Sequence, residues 1–112
     1  MRTDIGMAAG KIASQAGHAY LGAFINANAD LQKAYHSEFP EHPGTKVCLT
    51  AKSLDRILKA KEMAEAAGIP SFLVTDSGCS NFFDGKPIIT ALGLGPATKD
   101  QIKHITRRFQ LL

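Results

Sequence analysis

The sequence has 112 residues and a mass of 12.0 kDa, which predicts a single domain over residues 1–112. Hydrophobic residues make up 45% of the chain and charged residues 21%, a composition that excludes intrinsic disorder. The net charge is +3, no apolar run approaches the ~20 residues of a membrane helix, and no signal-peptide pattern opens the chain. We therefore expect a cytoplasmic protein that does not contact a membrane.

The first half of the chain predicts one long helix and one strand. Apolar residues recur at spacings of three and four from Gly10 to about Tyr35, the pattern of an amphipathic helix. Two prolines and a glycine over residues 38–45 predict a loop, and residues 46–51 (KVCLTA) then predict a short strand.

The second half predicts a helix between two strands and a further strand. Ser53 is a favourable N-cap for a helix that Gly68 ends. Strands are predicted over 71–75 and 88–94, with a polar loop over 76–81 between them.

The order of these elements predicts an α/β fold. Thr98 and Gln101 fit a capping box that begins a last helix. The strand–helix–strand unit over 46–75 predicts a parallel, right-handed crossover, with 88–94 in the same sheet. Three strands are few for such a sheet, so we expect a truncated first strand, whose remainder over residues 1–4 or a partner chain covers the exposed edge.

Three polar residues share one stripe of the first predicted helix. Lys11, Gln15 and His18 lie four and three positions apart, which places them on the same face. Lys11 follows Gly10 in the first turn, where backbone N–H groups favour an anion such as phosphate. A solvated face with a half-buried His18 explains the spacing equally well.

Asp76 directly follows the strand predicted over 71–75, at a sheet edge where open α/β proteins bind ligands. A carboxylate there can orient a lysine or act as a base, and it can also simply form a turn. Cys79 is a weaker candidate, as the nucleophile of a thiol-dependent hydrolase. The scattered histidines predict no metal site.

The C-terminal segment is mildly basic. Lys99, Lys103, Arg107 and Arg108 stand against a single acid, Asp100. Such a face suits a polyanion such as RNA, and the same charges also complement the negative end of a helix dipole.

Several segments resemble the class II peptidyl-tRNA hydrolases. The most specific is Gly10-Lys11-Ile12-Ala13-Ser14-Gln15-Ala16-Gly17-His18-Ala19, which matches the G-K-x-x-x-Q-x-x-H-A run of that family. Residues 2–7, 46–49, 66–70, 75–78, 93–97 and 111–112 follow the family pattern in order. The sequence is identified on this basis as a divergent member of the bacterial type.

The resemblance implies a three-layer α/β/α fold on a four-stranded mixed sheet, and a homodimer. It implies hydrolysis of the ester in peptidyl-tRNA or N-blocked aminoacyl-tRNA, releasing free tRNA, with no metal and no cofactor. The implied catalytic residues are Lys11, His18 and Asp76, and the implied substrate-binding residues are Gly10, Gln15, Ser80 and Thr90. We therefore expect Lys11 and Asp76 to lie within hydrogen-bonding distance, with His18 lining the same cleft.

The sequence departs from the family pattern at two cationic positions. Ala9 replaces the first lysine of the K-G-K run, and Thr75 replaces the arginine of the R-D-A-G loop. Residues 86–90 keep only the second threonine of G-T-x-T, which is Thr90. The alternative function is therefore a catalytically impaired relative that acts as an RNA- or protein-binding module.

Overall fold

The computed structural model describes residues 1–76 and 85–112, which form four helices and one pair of strands. In chain order these are α1 (Ala9–Asn26), α2 (Ala29–Tyr35), α3 (Leu54–Ala66), β1 (Ser71–Asp76), β2 (Ile88–Leu94) and α4 (Lys99–Thr106). The two strands are antiparallel, with Ser71 opposite Leu94 and Asp76 opposite Ile88. The α/β class is confirmed, and so are both strands, β1 with one residue more than predicted.

The long first helix predicted from the apolar spacing is in fact two helices. α1 ends at Asn26, and the Asn28 side chain accepts a hydrogen bond from the Leu31 N–H and so caps α2. Gln32 donates to the Phe24 carbonyl at 2.9 Å, which ties α2 back onto the end of α1. The apolar spacing continues across this junction, and periodicity alone therefore merges the two helices.

The caps predicted for the other helices are confirmed. The Ser53 hydroxyl accepts from the Arg56 N–H, and Gly68 adopts a positive φ of 70° just after α3. Thr98 and Gln101 form both hydrogen bonds of a capping box at the start of α4. Among the described helices, none has the length and apolar character needed to cross a membrane.

The strand predicted over 46–51 is wrong, and the described residues do not form the four-stranded sheet. Leu49 and Ala51 instead make isolated bridges, to Leu111 and Arg2. Neither pairs with β1 in the described part of the chain, so the parallel pair expected within 46–75 is absent there. A short apolar run shows a tendency to extend, whereas a strand also requires a neighbour that pairs along its whole length.

Residues 1–3 lie between β2 and the segment around Ala51. The Arg2 N–H donates to the Thr90 carbonyl at 2.9 Å, and the Thr3 N–H donates to the Ala51 carbonyl at 2.9 Å. The Ala51 N–H donates in turn to the Met1 carbonyl at 2.8 Å. The expectation that residues 1–4 cover the exposed edge of the sheet is thus confirmed, although they do so with a single bridge and not with a full strand.

Helices pack on both faces of the strand pair. Ala91 lies in one buried cluster with Ala19 of α1, whereas Leu92 packs with Ala64 of α3 and Ile105 of α4. Because neighbouring residues of a strand point to opposite faces, α1 covers one face and α3 with α4 covers the other. The three layers are therefore present, around two strands rather than four.

Candidate active site

The first turn of α1 and the last residue of β1 meet at one end of the strand pair. The Asn26 side chain, at the end of α1, donates to the carbonyl of Ser71, where β1 begins, at 2.9 Å. Lys11, near the start of α1, contacts Asp76, where β1 ends. α1 therefore runs antiparallel to β1 and brings Lys11 to the carboxyl end of the strand.

Lys11 and Asp76 form a largely buried ion pair. Lys11 Nζ donates a hydrogen bond to Asp76 Oδ2, and the side chains are 19% and 7% exposed. Burial lowers the local dielectric, so the attraction is stronger than in a surface pair and holds the ammonium in a defined position. The predicted approach of these two residues is confirmed, while their catalytic roles stay a prediction.

Gln15 and Thr90 form a further contact between α1 and the strands, in the interior. Gln15 is 3% exposed and Thr90 is 0% exposed. Thr90 Oγ1 donates to Gln15 Oε1 at 2.5 Å and lies 3.5 Å from the Val74 carbonyl oxygen. Each buried polar group thereby gains a partner, and the contact fixes α1 relative to β2.

A β-bulge places Thr90 in this position. The register of the strand pair shifts between Val74 and Thr75, so Thr90 has no partner in the ladder of these two strands. A bulge bends its strand and redirects the extra residue. Because the bulge lies directly before Asp76, it links the Gln15–Thr90 contact to the position of the carboxylate.

The remaining predicted site residues are more dispersed. Gly10 and His18 are both exposed on α1, and no hydrogen bond or ion pair joins His18 to Lys11 or Asp76 across the described residues. The placement of His18 in the same cleft therefore stays a prediction. Ser80 and Cys79 lie outside the described residues.

Arg2 is a residue beside the site that the sequence patterns did not identify. Its guanidinium donates to the Ile89 carbonyl at 3.0 Å and to both carboxylate oxygens of Asp4, at 3.0 and 2.7 Å. The hydrogen bond to Asp4 raises the pKa of Arg2, and the same bond lowers the pKa of Asp4. The sequence did contain one indication of this pair: Arg2 and Asp4 are two positions apart, so in an extended segment their side chains lie on the same face.

The chemistry of the described site comes from an ammonium and a carboxylate. The ammonium of Lys11 can stabilise negative charge that develops on a reacting oxygen or phosphate. The carboxylate of Asp76 can aim the ammonium or accept a proton. The described residues hold no group of three His, Cys, Asp or Glu side chains arranged for a metal ion.

Comparison with known proteins covers the whole chain. The sequence model of the family described as peptidyl-tRNA hydrolase PTH2 matches residues 1–112. The peptidyl-tRNA hydrolase of Methanopyrus kandleri is 36% identical over 112 residues, which is 100% of this chain and 93% of that protein. The peptidyl-tRNA hydrolase of Methanothermobacter thermautotrophicus is also 36% identical over 112 residues, covering 100% and 95%.

A eukaryotic relative extends the comparison. The probable peptidyl-tRNA hydrolase 2 of Dictyostelium discoideum is 34% identical over 111 residues, which is 99% of this chain and 51% of that protein. These relatives are archaeal and eukaryotic, and they do not support the expected bacterial type. The match is continuous from the first residue to the last, and on it the chain belongs to the peptidyl-tRNA hydrolase PTH2 family.

Proposed function

We propose that this protein hydrolyses the ester that joins a peptide to tRNA in peptidyl-tRNA, releasing free tRNA. The family match over the whole chain carries the proposal. The ion pair between Lys11 and Asp76, at the carboxyl end of β1, supplies charged groups suited to the reaction. An N-blocked aminoacyl-tRNA contains the same ester beside an amide, and is therefore the simplest substrate.

The reaction requires water to attack the acyl carbon. The carbonyl oxygen becomes an oxyanion in the tetrahedral intermediate, and the bond to the ribose oxygen then breaks as that oxygen takes up a proton. We assign Lys11 to stabilising the oxyanion or a neighbouring phosphate. We assign Asp76 to aiming the ammonium of Lys11 and to accepting the proton of the attacking water.

The other site residues receive different roles because their burial differs. Burial of Gln15 and Thr90 supports a positioning role, in which they fix α1 against the bulge of β2. Exposure of Gly10 and His18 on α1 supports direct contact with the 3′-terminal nucleotide. The role of Ser80 as a hydrogen-bond donor to the substrate rests on the family resemblance.

The test measures release of free tRNA from N-acetylaminoacyl-tRNA by the wild type and by Lys11→Ala. We expect kcat to fall roughly 10–1000-fold, because the variant cannot stabilise the developing charge. Lys33→Ala is the matched control, since Lys33 is an exposed lysine of α2. Equal turnover by Lys11→Ala and the wild type would remove Lys11 from the mechanism, and absence of tRNA release by the wild type would favour the binding module.

We also propose a cytoplasmic homodimer, as the resemblance implies. Leu21 and Ile25 are 58% and 62% exposed and lie one turn apart on α1, where a second copy can cover them. Sedimentation equilibrium at micromolar concentration measures the mass directly, and a monomer there would contradict the proposal.

A further inference from the structure

A basic groove lies between the start of α3 and the end of α4. Arg56 Nη2 donates to the Arg108 carbonyl at 2.6 Å, and the Arg56 guanidinium lies 5.2 Å from the centre of the Phe109 ring. These residues, with Asp55 and Lys59, line what we call the α3–α4 groove.

The groove presents three cations against one acid. Lys59 is 60% exposed, and its ion pair with Glu62 spans 3.9 Å in solvent, so this contact holds the lysine only weakly. Arg56 is held by the Phe109 ring and by a backbone carbonyl, which fixes a guanidinium in the groove before any ligand arrives. Arg108 is exposed and adds a third positive charge.

The start of α3 and the end of α4, which form the groove, both lie at the end of the strand pair that carries the Lys11–Asp76 ion pair. The Gly95 N–H donates to the Pro70 carbonyl at 2.8 Å, so α4 begins and α3 ends near the start of β1. At the opposite end, the Thr50 N–H donates to the Gln110 carbonyl at 2.8 Å, and Ala51 bridges to Arg2 beside β2.

The ion pair and the groove therefore share one end of the molecule while lying in different layers. Lys11 belongs to the α1 layer, and Arg56 belongs to the opposite layer. Because both surfaces lie at this end of a molecule that measures 41 × 29 × 22 Å, we expect one RNA molecule to reach both.

We propose that the α3–α4 groove binds the phosphate backbone of the tRNA, away from the ester that is hydrolysed. The inference rests on the proposed function and adds a second contact surface to it. The groove supplies positive charge from Arg56, which is held in place, and from the exposed side chains of Lys59 and Arg108, and such charge binds phosphates whatever the base sequence. Its contribution is affinity that depends on salt, not acceleration of the chemical step.

The experiment compares two substrates that carry the same ester. One is N-acetylaminoacyl-tRNA, and the other is the N-acetylaminoacyl trinucleotide CCA, which lacks the stem. We expect Lys59→Glu and Arg108→Glu each to raise KM for the tRNA about 3–30-fold, with kcat unchanged and no effect on the trinucleotide. The slope of log KM against log salt should fall by about one for each cation removed.

Lys33→Glu is the matched control, because it makes the same charge change on α2, next to the end of α1 far from the ion pair. An equal rise in KM for Lys33→Glu, an unchanged KM for the groove variants, or an equal loss on the trinucleotide would overturn the groove assignment. Melting curves check that the variants are folded.

A binding measurement separates this inference from the proposed function. Fluorescence anisotropy gives the Kd of uncharged tRNA for the wild type, Lys59→Glu and Arg108→Glu, whether or not hydrolysis occurs. Weaker binding by the groove variants alone supports the groove even if the wild type releases no tRNA. Unchanged binding overturns the groove even if hydrolysis is confirmed.

Discussion

The Lys11–Asp76 and Gln15–Thr90 contacts both join α1 to the strands, and they tolerate substitution differently. The Lys11–Asp76 pair contains full charges, so loss of the lysine leaves a buried carboxylate without this cation and costs about 1–3 kcal/mol of stability. In Lys11→Ala/Asp76→Asn the carboxylate is replaced by an amide, so we expect part of that stability to return while turnover stays low. Recovery of stability without activity in this variant separates the structural cost of losing Lys11 from its role in hydrolysis.

The contact between Gln15 and Thr90 is neutral and fully enclosed. Thr90→Val keeps the shape and removes the hydroxyl that donates to Gln15, so the free energy of unfolding should fall by about 1–3 kcal/mol. We also expect kcat to fall, because the bulge before Asp76 loses its anchor, and Thr90→Ser to restore both. Urea unfolding and the tRNA-release assay measure the two effects.

Thr106→Val is the control for that substitution, since the Thr106 hydroxyl donates to the Ile102 carbonyl within α4. Its expected effect on stability is below about 0.5 kcal/mol, and kcat should not change. A Thr90→Val enzyme with unchanged stability and kcat would show that the bulge holds Asp76 without this hydrogen bond.

Elements that depend on local chemistry were predictable from the sequence. Ser53 and the pair Thr98 and Gln101 satisfy N–H groups within three residues of themselves, so their patterns suffice. The strand prediction over 46–51 was wrong because two of its residues form bridges to residues 2 and 111, and local sequence patterns do not specify such distant partners.

The same distinction between local and long-range information applies to the candidate site. Helical spacing and a strand end indicated Lys11 and Asp76, and the ion pair joins them. The contact of Gln15 with Thr90 spans 75 positions and requires a bulge that no local pattern announces. Spacing along the sequence could not predict that both residues are buried, because their burial depends on this long-range contact.

Packing of α1 against β2 depends on Gly93. A Cβ at this position would lie 2.0 Å from the carbonyl oxygen of Ala19, a backbone atom that cannot move aside without shifting α1. We expect Gly93→Ala to lower the free energy of unfolding by about 1–3 kcal/mol and to reduce turnover, because α1 carries Lys11. Denaturant unfolding and the tRNA-release assay measure both.

Gly17→Ala is the matched control on α1, where an added Cβ meets no atom within 4 Å. Removal of a helical glycine should raise stability by about 0.5–1 kcal/mol. A Gly93→Ala protein as stable as the wild type would show that α1 can move away from the strands at little cost.

At the scale of the whole molecule, residues 1–3 connect parts of the chain that are distant in sequence. Arg2 joins β2 through the Thr90 and Ile89 carbonyls and joins the segment before α3 through its bridge to Ala51. Its ion pair with Asp4 orients the guanidinium for these contacts. Stability of the whole domain should therefore respond to the charge of Asp4.

The pH dependence of unfolding tests that connection. The hydrogen bond from Arg2 lowers the pKa of Asp4 below its usual value of 3.8, so ionised Asp4 stabilises the folded chain above that value. The contribution disappears as the pH falls through the lowered pKa, because the folded chain must then take up the proton.

Asp4→Asn lacks the carboxylate at every pH, so its deficit in stability relative to the wild type should be constant above about pH 5 and shrink below about pH 4. Urea unfolding between about pH 2 and pH 7 at low salt measures the difference. In an Arg2→Gln background the effect of Asp4→Asn should depend much less on pH, because the largest cause of the lowered pKa of Asp4 is then absent. A deficit that shrinks as steeply in that background as in the wild type would show that Arg2 is not the partner that lowers the pKa of Asp4.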